Sequence, residues 1–164
     1  MTWQVLATVL LGGVAALDAV PVAQTMLSQP LVTATLLGAI WGDWRVALEV
    51  GVVLQVLAAS TLPIGARTPE DYAVGGVVGA GVALAAAAQH PFLMVQEAAA
   101  LAGVLAGLAV AVLGVPLTRW QRRRNEGLAR WCEAAVRRGD EGVFGGAQGA
   151  GVVLAFGVGV GYSA

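Results

Sequence analysis

Six prolines divide this sequence into apolar runs about as long as a bilayer is thick, or shorter, and that punctuation constrains the fold more than any other feature. A hydrocarbon core ~30 Å thick needs roughly 20 residues of helix. The 164 residues are 58% hydrophobic and 12% charged, which is more apolar surface than one soluble core of this size can hide. Lipid is therefore the solvent to expect, and backbone polar groups in lipid must be satisfied within helices.

Val5 to Val20 is apolar except for Thr8 and Asp18, and Pro21 predicts the end of a first helix. It has neither the basic leader nor the distinct cleavage site of a secretory signal, so it is read as mature structure. After a polar connector, Pro21 to Pro30, comes Leu31 to Gly42, which is short for a span and is read as re-entrant or buried within protein. Val46 to Leu62 carries Glu49 and Gln55 and stops at Pro63, Ile64 and Gly65. Tyr72 to Ala88 and Phe92 to Val115, broken at Gln89, His90 and Pro91, predict a helical hairpin. Val143 to Tyr162 is a last apolar, Gly-rich run.

Between the hairpin and that run, Leu117 to Glu141 holds seven of the nine arginines. Leu128, Trp131, Cys132, Ala135 and Val136 recur there at helical spacing, so part of the region can form an amphipathic helix on the membrane or on a neighbouring span. The positive-inside rule places it on the cytoplasmic side. The expected fold is thus an all-α polytopic membrane domain over residues 1–164, with about five transmembrane helices, a short re-entrant segment and a cytoplasmic Arg-rich amphipathic loop at 117–142. Small residues at four-residue spacing, Gly75, Gly79 and Ala83 or Gly103, Gly107 and Ala111, either let helices pack closely or reflect an Ala/Gly-rich composition.

An ionisable group inside a span costs roughly 2.5–3.5 kcal/mol on the lower scales, so each one asks for a reason. Asp43, after Gly42, is read as the cap of the following helix, and Arg45 and Glu49 stand at i,i+4. Glu97 is read as interfacial. Asp18 and Gln55 are flanked by long apolar stretches and have no local partner in sequence. With Gln24, Ser28 and Gln29 they could face a hydrated cavity, since carboxylates accept and amides both donate and accept hydroxyl hydrogen bonds. His90, the one histidine, reads as a loop residue.

A net charge of -1 gives no basic excess and no reason to expect nucleic acid. The single cysteine, Cys132, excludes a disulfide framework and a cysteine-based metal site. There is no phosphate-binding loop, no dinucleotide fingerprint and no pair of histidines for a metal. No catalytic role, metal or cofactor is expected.

The stretch from Gln29 to Asp71 resembles the signature region of the mannose/fructose/sorbose-type IIC family of sugar phosphotransferase transporters. The matching pieces are Gln29 to Leu31, Leu37 to Asp43, Gly51 to Gln55 and Ile64 to Asp71, and upstream Leu17-Asp18, Gln24 and Ser28 fit the same pattern. The resemblance implies a helical fold with re-entrant hairpins and an oligomeric membrane subunit of the bacterial inner membrane. Its implied partners are a IID membrane protein, cytoplasmic IIA and IIB proteins that carry the phosphate, and a hexose or amino sugar as cargo. It also implies that Asp18, Gln24 and Gln55 bond the sugar while Gly65 permits a tight turn beside them. Gln55 stands where many members have Glu, Pro63 replaces an Asn of some members, and Arg67 adds a charge. Members usually continue through further membrane segments, so a shortened chain is expected. A IIC-derived protein that assembles or regulates without transporting is the alternative reading.

Overall fold

The computed structural model describes residues 2–19, 22, 24–61, 68–89, 93–140 and 142–164. These residues form six helices and no strand: α1 (Thr2–Ala19), α2 (Pro30–Trp41), α3 (Trp44–Ser60), α4 (Tyr72–Gln89), α5 (Leu93–Val136) and α6 (Val143–Ser163). The chain is an all-α polytopic membrane protein. Three of the described helices, α4, α5 and α6, are long and apolar enough to cross a bilayer, and α1 and α2 are shorter apolar helices. At 1.5 Å per residue the 12 residues of α2 reach about 18 Å, well short of a crossing.

Local chemistry sets the boundaries of the α2–α3 hairpin. Pro30 opens α2, where a missing N–H costs nothing and its fixed φ suits a first turn. Gly42 closes it at φ 83°, a left-handed geometry that glycine adopts without strain, and its N–H donates to the Gly38 carbonyl at 2.9 Å. Asp43 then caps α3, as its position predicts, by accepting from the Val46 amide at 3.3 Å. The Arg45–Glu49 pair forms across one turn at 3.6 Å with both side chains well exposed, so it adds little.

The hairpin lies against α4, the most enclosed helix, which α1 and α5 also contact. Leu37, Val46, Val50, Leu54, Val77 and Leu84 fill the interior. The four-residue spacings prove to be packing: Gly75 and Gly79 of α4 face Gly103, Gly107 and Ala111 of α5. A Cβ on Gly103 would lie 2.5 Å from the Gly79 carbonyl oxygen, so the backbones meet only because no side chain intervenes. The turn between α4 and α5, with His90, lies outside the described residues.

The fifth helix departs from expectation. Sequence predicts a break near Val115 because Pro116 cannot donate a backbone hydrogen bond, yet α5 runs through it for 44 residues, about 66 Å. Pro116 leaves the Val112 carbonyl without its helical donor, and the carbonyls just before it receive added donors from neighbours. The Asp71 amide donates to the Ala111 carbonyl at 2.9 Å, and the Tyr162 hydroxyl of α6 donates to the Val110 carbonyl. Residues 117–136 of the Arg-rich region are consequently a direct extension of α5, and α6 folds back beside it.

Candidate functional site

The connector between α1 and α2 is built around Asp18. Its Oδ1 accepts from the Thr25 amide at 2.6 Å and the Thr25 hydroxyl at 2.7 Å, and its Oδ2 accepts from the Ser28 amide at 2.9 Å. Charge-assisted bonds of this kind are about twice as strong as neutral ones. They hold a backbone that includes two non-glycine residues in the left-handed region, Gln24 (φ 52°) and Met26 (φ 68°). Each such residue costs roughly 1–3 kcal/mol unless its surroundings fix it. Asp18 is therefore the fastener that folds the connector and presents Ser28 and Gln29.

Gln55 acts from the other side. Its Oε1 accepts from the Leu31 amide at 3.3 Å, one of the first-turn donors that α2 leaves unpaired, and its Nε2 donates to Gln29 Oε1 at 2.6 Å. One amide thus joins α3 to the start of α2 and fixes the Gln29 side chain.

Gln29 and Ser28 line a cavity of about 500 Å³, a size typical of small-molecule sites. Glu70 and Asp71, just before α4, form a second wall. Asp71 caps α4 by accepting from the Val74 amide at 3.2 Å, and burial pushes its carboxyl above the usual range, against the lowering effect of the Val74 and Ala73 amides. The third wall is α5 just beyond Pro116, where Thr118, Gln121, Arg122 and Asn125 follow the i, i+3, i+4, i+7 spacing of one helix face. Gln148 of α6 closes the ring, with Val152 and Ala155 supplying apolar surface. Carboxyls, amides, hydroxyls and the Arg122 guanidinium around an apolar floor can bond a polar solute whose hydroxyls donate and accept while its C–H faces pack on Ala and Val. Among the described residues no group of three or more His, Cys, Asp or Glu could hold a metal ion.

Of the residues singled out from sequence, Asp18 and Gln55 come to the same corner, but they support the cavity wall and do not line it. Gln24 is exposed on the connector, with its amide donating to the Val22 carbonyl at 2.7 Å, and is not part of the wall. Gly65 lies outside the described residues. Sequence reasoning missed the α5 stripe because polar residues in an Arg-rich segment read as solvated. The signal was the 118-121-122-125 spacing. Gln148 was missed as well, although a lone amide in an apolar run is a signal of its own.

A helical membrane protein with a partly open cavity between its helices, rimmed by acids and amides over an apolar floor, has the architecture of a solute-handling membrane protein. More particularly, the family described as "PTS system sorbose-specific IIC component" matches residues 2–160, and the chain belongs to that family of sugar-transport subunits. Neither a curated protein nor a solved structure matches the chain.

Proposed function

We propose that this chain is the sugar-translocating IIC subunit of a phosphoenolpyruvate-dependent phosphotransferase system in the bacterial cytoplasmic membrane. It passes a hexose or amino sugar and works with a IID membrane subunit, while cytoplasmic IIA and IIB proteins handle the phosphate. The observation that carries this reading is the cavity, where acids and amides from four separate elements converge beside the motif-bearing connector. In this reading Gln29, Asp71, Asn125 and Gln148, which line the cavity, bond the sugar hydroxyls, and Asp18 and Gln55 act through Ser28 and Gln29. Gln24 and Gly65 enter the proposal through the sequence pattern alone.

The test is uptake of radiolabelled hexoses by vesicles holding this chain with a IID partner and supplied with IIA and IIB. Phosphoenolpyruvate-dependent uptake is expected, reduced at least ~10-fold by Asn125→Ala with Gln148→Ala, since two bonds to a bound hydroxyl are removed. Correct assembly with no uptake of any hexose would instead support the non-transporting role.

A further inference from the structure

From Ala98 to Thr118 the fifth helix carries no charge, a stretch about 31 Å long at 1.5 Å per residue, which matches the hydrocarbon core. Arg119, Arg122, Arg123 and Arg124 follow at once, so they fall at the membrane edge. Among the described residues none of the four forms an ion pair, the one such pair being Arg45–Glu49. One of them is placed differently from the rest. The Arg124 guanidinium lies over the Trp120 ring, 5.3 Å from its centre, at a groove between α5 and α6 on the side away from the polar cavity.

That groove is otherwise apolar, formed by Trp120, Gly127, Leu128, Ala150 and Leu154. A side chain on Gly127 would meet nothing within 4 Å, so the space beside Arg124 is open. At about 100° per residue, Glu126 and Glu133 point about 200° and 180° away from Arg124, which leaves the groove face of α5 with a cation and no nearby acid. Trp131, 47% exposed, extends the same face. A lone cation over an apolar trough at interfacial depth has the complementary shape of one molecule: a phosphate bearing acyl chains.

We infer that the α5–α6 groove binds an anionic phospholipid, with its phosphate on Arg124 and an acyl chain over Trp120 and Leu154 toward the uncharged stretch. The site is separate from the sugar cavity, which lies on the other side of the α5–α6 contact.

Native mass spectrometry of the detergent-purified full chain tests this, titrated with dioleoyl phosphatidylglycerol or dioleoyl phosphatidylcholine. The wild type should retain phosphatidylglycerol about five-fold over phosphatidylcholine, the preference that one interfacial arginine supplies. Arg124→Gln should abolish the preference. Arg119→Gln removes the same charge about 140° around the helix and should change it less than about two-fold. Leu154→Trp fills the groove without touching charge and should lower retention of both lipids. Equal losses from Arg119→Gln and Arg124→Gln would overturn the site in favour of diffuse attraction, and equal retention of the two lipids by the wild type would overturn it outright. Displacement of bound phosphatidylglycerol by a polyglutamate peptide, with Arg124→Gln abolishing peptide binding, would overturn it in favour of an acidic protein partner.

Discussion

The glycines of α4 and of α6 carry opposite meanings. In α4, 67% of the apolar stretch is buried within the molecule, and Gly75, Gly76, Gly79 and Gly81 each sit against a neighbour too close for a methyl group. In α6 the buried share is 17%, and Gly145, Gly146, Gly149, Gly157 and Gly161 face nothing within 4 Å. Only Gly159 of that helix is wedged, between Gly12, Gly13 and Ala16 of α1. Small-residue spacing marks close helix packing where two such faces meet. Where it does not, the same residues leave a smooth surface for lipid.

The strongest way to break this contrast is to fill a glycine on each side. Gly103→Val drives a branched side chain into the Gly79 carbonyl and should cost about 3 kcal/mol, with a lower thermal midpoint in detergent and aggregated material on gel filtration. A midpoint unchanged by that substitution would show that the α4–α5 contact is not as tight as described. Asp18→Ala, which frees Thr25 and Ser28, should lower the midpoint by several degrees and expose the connector to limited proteolysis, while α6 stays as resistant as before.

Gln55→Ala should cost about 1 kcal/mol by leaving the Leu31 amide and the Gln29 side chain without their partner. Hexose affinity should fall with it, because Gln29 is then free to leave the cavity wall. Gly157→Ala should shift the midpoint least, toward stability and by no more than about 1 kcal/mol, because alanine favours helix and meets nothing there. A destabilised Gly157→Ala would mean that α6 is covered by something outside this chain.

What could be read in advance follows the same division. The end of α2 and the start of α3 were legible because Gly42 and Asp43 act on their own backbones, within a turn of their position. The small-residue faces were visible as spacing, but nothing in sequence said that 75 and 79 would meet 103 and 107. Asp18 and Gln55 stood out in sequence as polar groups without a local partner that could face a hydrated cavity. Their role stayed hidden because the partners are backbone amides of a connector seven to ten residues away and an amide 26 residues away. The α5 wall of the cavity was least legible, since Pro116 announces a stop and the helix nevertheless runs through it.

That proline has a mechanical consequence. Beyond it, α5 continues for 20 residues as an arm about 30 Å long, with the cavity stripe at its root and the Arg-rich turns further out. A bend of about 10° introduced at Pro116 would carry Val136 through about 5 Å while moving Thr118 hardly at all. The arm is thus a lever with its fulcrum beside the cavity. Its long end lies among the charged residues, where a small push is geared down into a fine adjustment of the cavity wall.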